Sequence, residues 1–171
     1  LGLVGSEMCI RDSPSGSVYT EEEMAALAAV LREHPRAIAI SDEIYEYINF
    51  TEAHASLAAQ PGMMERTVTV NGVSKGFAMT GWRIGYIAAP QWIAAACTKL
   101  QGQFTSGASG ISQKATEHAM NGGGALAAEM KAAFLKRRDF MVNGLKAIDG
   151  FEVNVPPVSY THLTLPTRRF V

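Results

Sequence analysis

The chain has 171 residues, a formal net charge of −1 and 47% hydrophobic content, which suits one globular domain and excludes a disordered chain. Its basic residues are scattered, so nothing marks a nucleic-acid footprint, and no apolar run approaches the roughly 20 residues of a membrane span. Two cysteines, Cys9 and Cys97, make no disulfide framework and fit a reducing, cytosolic setting.

In chain order, the first stretch, LGLVGSEMCIRDS, has neither the basic nor the long apolar region of a signal peptide. It and the last stretch, VSYTHLTLPTRRFV, read as foreign to the domain, similar to translated adapter scars at the edges of assembled fragments. Residues 1–13 and 158–171 are therefore set aside, leaving Pro14 to Pro157. Pro14-Ser15-Gly16-Ser17 is a turn-forming cluster. Thr20, with Glu23 three residues on, is a capping box, and Met24, Leu27 and Leu31 recur at helical spacing as far as His34-Pro35. Ala37 to Ile40 is a continuous apolar run that predicts a buried strand of a parallel sheet, ending at Ser41-Asp42-Glu43. Thr67 to Val70 predicts a second strand, turned by Asn71-Gly72, and Trp82 to Ala88 a third, closed by Pro90.

From Gln91 the pattern is helical, with Trp92, Ile93, Ala96 and Leu100 on one side, until Gly122-Gly123-Gly124 breaks it. A long helix is predicted from Ala125 to Ile148, with Leu126, Met130, Phe134, Met141, Leu145 and Ile148 as its apolar stripe and Gly150 at its end. Phe151 to Val155 then begins a strand. Strands alternating with helices make an α/β sheet, whose ligand sites lie beyond the carboxyl ends of the strands. Asp42 and Lys75 each follow a strand closely.

An apolar strand ending in Asp-Glu serves magnesium beside a phosphate loop, or pairs an acid with a ring nitrogen. The magnesium use needs a glycine-rich loop ending in Lys-Ser or Lys-Thr, which Asn71 to Gly76 does not supply. A buried carboxylate that keeps a pyridinium nitrogen protonated fits better, with Tyr45 placing its hydroxyl against the ring's oxygen. Asp42 as a simple helix-capping residue is the plain alternative. Lys75 lies in an apolar, glycine-punctuated loop, where desolvation favours the neutral amine that attacks a carbonyl; the plain alternative is a solvated surface charge. Arg83 suits bidentate phosphate binding or, alternatively, a structural ion pair. His34 and His118 sit at or on helices, His54 in a loop and His162 in the set-aside tail, and no two have metal-ligand spacing. The Met79–Trp82 region reads as packing.

Taken together, SDEIYEYINF followed by TVTVNGVSKGFAMTGWRIGYIAAP resembles the core of class I aminotransferases, and in particular the bacterial aspartate aminotransferases. PSGSVYTEEEMAALA and KLQGQFTSGASGISQKA resemble the flanking segments of the same family. Asp-x-x-Tyr after a strand, then Ser-Lys, then Gly-Trp-Arg in that order is a highly specific combination.

The resemblance implies a piece of the three-layer αβα large domain of fold type I pyridoxal-phosphate enzymes, with a mostly parallel sheet. Residues 14–120 would belong to that domain and 121–157 to the interdomain helix and the start of the small C-terminal domain. It implies pyridoxal 5'-phosphate as cofactor, with Lys75 forming the Schiff base and shuttling a proton. Asp42 would pair with the pyridine nitrogen, Tyr45 with the ring oxygen and Arg83 with the phosphate; no metal is implied. The substrates would be an amino acid, aspartate first, and a 2-oxo acid. A homodimer is implied too, with the Thr105–Ser109 loop near the active site across its interface.

Two departures stand out. The family's Asn-Pro-[TS]-Gly reads Ser13-Pro14-Ser15-Gly16 here, and serine has no amide donor to touch the ring oxygen. The phosphate-cradling loop, the ring-stacking aromatic and the arginine that grips the substrate carboxylate lie outside the matched segment. Two alternatives follow: an inactive truncated remnant of the fold, or another pyridoxal-phosphate reaction such as a lyase.

Overall fold

The computed structural model describes residues 17–51 and 54–158, together with the backbone of 6–9. The turn at residues 13–16 lies outside the described residues. Four strands make one sheet in the order β1 (Ser6–Cys9), β2 (Ala39–Asp42), β3 (Thr67–Gly72) and β4 (Gly85–Ala88). The first three are mutually parallel and β4 runs antiparallel to β3. Among the described residues, four helices accompany them: α1 (Glu21–Glu33), α2 (Gln91–Phe104), α3 (Gly110–Gly122) and α4 (Gly124–Lys146). Among the described residues, no helix is long and apolar enough to cross a membrane.

α1 starts where the sequence places it. The Thr20 hydroxyl accepts from the Glu23 N–H at 3.2 Å, and the Glu23 carboxylate accepts from the Thr20 N–H at 2.7 Å. This satisfies two backbone donors that a helix start otherwise leaves open. Met24 and Ala28 of α1 pack with Ala39 of β2 and with Ala55, Leu57 and Met63 of the connection to β3, while Leu27 and Leu31 flank them. Full burial of a side chain of the size of Met24, Leu57 or Met63 contributes about 1.5–3 kcal/mol. This cluster fixes β2 on one side.

Several predicted elements shift. β2 begins two residues late, because the Ala37 N–H closes a turn onto the His34 carbonyl, and it runs on through Ser41 and Asp42. Its burial alternates instead of being continuous: Ala39 and Ser41 are buried, whereas Ile40 is 39% exposed on the opposite face. The third strand begins at Gly85, not Trp82, since Thr80–Trp82 forms a 3-10 turn and Arg83 adopts a left-handed conformation (φ 54°) that no strand accepts. The helical stretch from Gln91 is two helices, interrupted at Thr105–Ser109, where Ser106 and Gly107 both take positive φ. α4 matches the long helix to within two residues at each end. Its inward face, however, is set by Ala127 and Val142, with Met130, Phe134, Met141 and Leu145 half-buried and Leu126 and Ile148 exposed. Residues 151–155 form no strand; instead, the Phe50 N–H donates to the Pro157 carbonyl and Asn49 bridges Val158.

Candidate active site

Parallel pairing sends the carboxyl ends of β2 and β3 to the same edge of the sheet, and antiparallel β4 begins at that edge. Asp42 is the last residue of β2, Lys75 follows the end of β3 by three residues and Arg83 precedes β4 by two. Topology alone therefore gathers residues spread over 42 positions, at the edge where open α/β sheets bind ligands. A cleft of about 550 Å³ lies there, lined by Asp42, Tyr45, Ser74, Lys75, Thr80 and Arg83, with Ile44, Val70 and Ile84 supplying apolar wall. Its volume is in the range of small-molecule and cofactor sites. All four residues singled out in the sequence line this cleft. The Lys75 ammonium nitrogen stands 5.6 Å from the centre of the buried Tyr45 ring, within reach of a cation–π contact.

The Asp42 wall is held by hydrogen bonds. The Asp42 Oδ1 accepts from the Ile44 N–H at 3.1 Å, which closes the turn leading to Tyr45. Next to it, Glu43 is buried, and its N–H donates to the Val70 carbonyl at 2.8 Å, extending the strand pairing by one residue. The Glu43 carboxylate accepts from the Ser41 hydroxyl at 2.9 Å and the Ser56 hydroxyl at 2.8 Å, and pairs with His54. Burial pushes the Glu43 carboxyl up, but the hydrogen bonds from His54 and Ser56, the charge of His54 and the bond from Ser41 outweigh it. The net position is below the ordinary glutamate value. Glu46 also brings a carboxylate oxygen near, so that Glu43, Glu46 and His54 have donor atoms within 4.8 Å of one another.

The opposite wall is held differently. Between Val73 and Met79 the chain closes an irregular turn, with Phe77 N–H on the Val73 carbonyl, Ala78 on Lys75 and Met79 on Ser74, at 3.1–3.3 Å. Ala78 and Arg83 both have positive φ, 52° and 54°. For non-glycine residues this conformation costs on the order of 1 kcal/mol, and two such residues in one short loop concentrate strain beside the cleft. The Arg83 guanidinium donates to the Thr80 carbonyl at 3.0 Å and remains exposed. Arg83 is thus a turn residue ahead of the strand, not its first member.

Sequence reading missed the Glu43–His54–Ser56 network, because its partners stand 11 and 13 residues apart across a connection without a pattern. It also passed over Tyr47, whose ring packs beside Phe77 with centroids 4.9 Å apart.

With this geometry in place, comparison with known proteins gives a consistent result. The family described as Aminotransferase class I and II matches residues 9–168. The chain is 50% identical over 153 residues to a bifunctional aspartate aminotransferase and glutamate/aspartate-prephenate aminotransferase of Petunia hybrida, covering 87% of this chain and 32% of that protein. It is 44% identical over 146 residues to an aspartate aminotransferase of Rhizobium meliloti, covering 84% and 36% respectively. The crystal structure of an aspartate aminotransferase from Rhizobium meliloti superposes with a TM-score of 0.87 at 40% identity, over 91% of this chain and 39% of that one.

The chain belongs to the class I and II aminotransferase family. Its α/β sheet is that of fold type I pyridoxal-phosphate aminotransferases, a family dependent on that cofactor. It spans about a third of the length of the curated relatives it matches, 32% and 36% in the two cases above.

Proposed function

We propose that the whole protein exchanges an amino group between an amino acid, aspartate first, and a 2-oxo acid, with pyridoxal 5'-phosphate held at Lys75. The observation that carries this reading is the convergence of Asp42, Tyr45, Lys75 and Arg83 on one cleft. The donor set fits the cofactor group by group. An amine meets the aldehyde, a carboxylate the pyridine nitrogen, a phenol the ring oxygen and a guanidinium the phosphate. When bound, the cofactor supplies an electron sink for the charge that develops at the substrate's α-carbon.

The chain's own residues do the rest. Lys75, on an irregular turn beside the Tyr45 ring, would hold the cofactor's aldehyde through its amine. The same amine would move the substrate's α-proton, as a general base and then an acid. Asp42, fixed by the Ile44 N–H, presents a carboxylate that keeps the ring nitrogen protonated. Tyr45 would orient the ring through its hydroxyl, and the guanidinium of Arg83 would hold the phosphate.

By the same reading the whole protein is a cytoplasmic homodimer in which residues 105–109 approach the partner's site. The 171-residue piece by itself is inactive. Among the described residues, Trp92 at 65%, Phe104 at 82% and Ile111 at 76% exposure leave apolar helix surface uncovered, so the isolated chain self-associates. The test is transamination of aspartate with 2-oxoglutarate by the full-length protein and its Lys75→Ala variant. Turnover should fall by more than about 10³-fold in the variant; normal turnover without Lys75 overturns the assignment.

A further inference from the structure

Lys75 owes its place to its neighbours in the loop, and these rest on a surface with no role in the reading above. A Cβ on Gly76 would lie 2.8–3.0 Å from three carbons of Tyr47, closer than packed carbons stand, so the Lys75–Gly76 backbone rests directly on that side chain. Gly76 is not among the positive-φ glycines, so the demand is for space alone. The next residue, Phe77, tilts its ring against Tyr47 at 59° and 4.9 Å, a favourable aromatic arrangement. An edge of the Phe77 ring lies against Gly123, the joint between α3 and α4: a Cβ there would meet Phe77 Cε1 at 2.8 Å, besides the Ala119 carbonyl oxygen.

Tyr47 is itself held. It belongs to the Glu46–Ile48 turn, against which α4 packs. Burial, followed by the nearby Glu46 carboxylate, pushes its phenol above the ordinary value, so the ring stays neutral.

We propose that Tyr47 and Phe77 are positioning residues for Lys75: stacked between Gly76 and Gly123, they form a seat that fixes the lysine turn, and hence the amine, next to Tyr45. The inference rests on the cofactor-holding role of Lys75. A misplacement of about 1 Å at a reacting group costs on the order of 10²-fold in rate, so a seat defined by contacts this close bears on the chemistry without touching it.

The experiment uses the full-length protein with Gly76→Ala, Tyr47→Ala, the double variant and Tyr47→Phe. Three quantities are read. The first is the reactivity of Lys75 toward acetic anhydride in the cofactor-free protein, measured by peptide mass. The second is the pH midpoint of the visible absorbance after loading with pyridoxal phosphate, and the third is the split of kcat from KM. Gly76→Ala should change Lys75 reactivity and lower kcat by about tenfold to a hundredfold with KM little altered, and should move the absorbance midpoint. Tyr47→Ala should do the same to a smaller degree. The double variant should lose less than the two single losses combined, because two of the three close carbons, Cδ2 and Cγ, leave with the ring while Cβ stays, a non-additivity that direct contact produces. Tyr47→Phe, which keeps the ring, should leave all three near wild type.

Additive effects in the double variant, or unchanged Lys75 reactivity in both single variants, overturn the seat. If Gly76→Ala does not fold, the contrast between Tyr47→Ala and Tyr47→Phe decides the matter on the same readouts. A wild type that takes up no cofactor at Lys75 overturns the functional reading instead, and anhydride labelling still decides the seat.

Discussion

The cleft has two walls built on opposite principles. On one, Asp42 ends a strand and Tyr45 follows it, and that end is tied down by a buried carboxylate with three partners, Ser41, Ser56 and His54. On the other, Lys75 and Arg83 occupy a loop with two positive-φ residues, held by aromatic packing on Tyr47 and Gly123. A buried polar network is directional and fixes where a strand stops, but it depends on protonation. Packing is indifferent to pH and sensitive to volume. The comparison teaches that the acid of the site is placed by charge and the amine by shape, so each wall should fail under a different perturbation.

The largest effect expected is on chemistry. Asp42→Asn preserves the size of the side chain but removes the charge, and kcat for transamination by the full-length protein should drop at least about 10²-fold, with the fold intact by circular dichroism. A drop of twofold or less breaks the assignment of that wall.

Next in size is the support beneath it. Glu43→Ala leaves the Ser41 and Ser56 hydroxyls and His54 without their shared acceptor in a buried place, and should destabilise the protein by about 3 kcal/mol in urea unfolding. Acid should reproduce part of this loss. The native state holds the Glu43 carboxyl below its ordinary value of 4.5, so its stabilisation is complete above 4.5. It is lost as the pH falls from there through the lowered native value. Amide exchange followed downward in pH should show residues 41–46 opening before 73–79, and Glu43→Ala should remove that order. Opening in the reverse order would contradict a polar-held wall.

How much of this was legible in the sequence depended on range. The capping box at Thr20 and Glu23 was readable because both partners lie within one turn. The four residues lining the cleft were readable because each follows or precedes a strand that could be recognised, and because their order matched a known family. The periodic pattern ran through the interruption at 105–109, since Ser106-Gly107 carries no proline and the flanking residues keep a helical period; the family resemblance alone pointed to a loop there. Residues 151–155 have the alternation of a strand but find no ladder partner among the described residues. The contacts of Glu43 with His54 and of Phe77 with Gly123 depend on how connections fold back, which no local pattern encodes.

The smallest effect sharpens the second wall. Ala78→Gly relieves a positive-φ alanine (φ 52°) at little cost in contacts, and should raise stability by up to about 1 kcal/mol. A loss of stability instead would mean that the alanine methyl, not the backbone, shapes the loop.

The most direct test of the central claim, that this cleft holds pyridoxal phosphate at Lys75, is covalent trapping. The full-length protein is loaded with the cofactor and treated with borohydride, and the adduct is located by peptide mass. A visible absorbance that borohydride abolishes, with the added mass on Lys75 and none in Lys75→Ala, is expected. A colourless protein, or an adduct on another lysine, would contradict it.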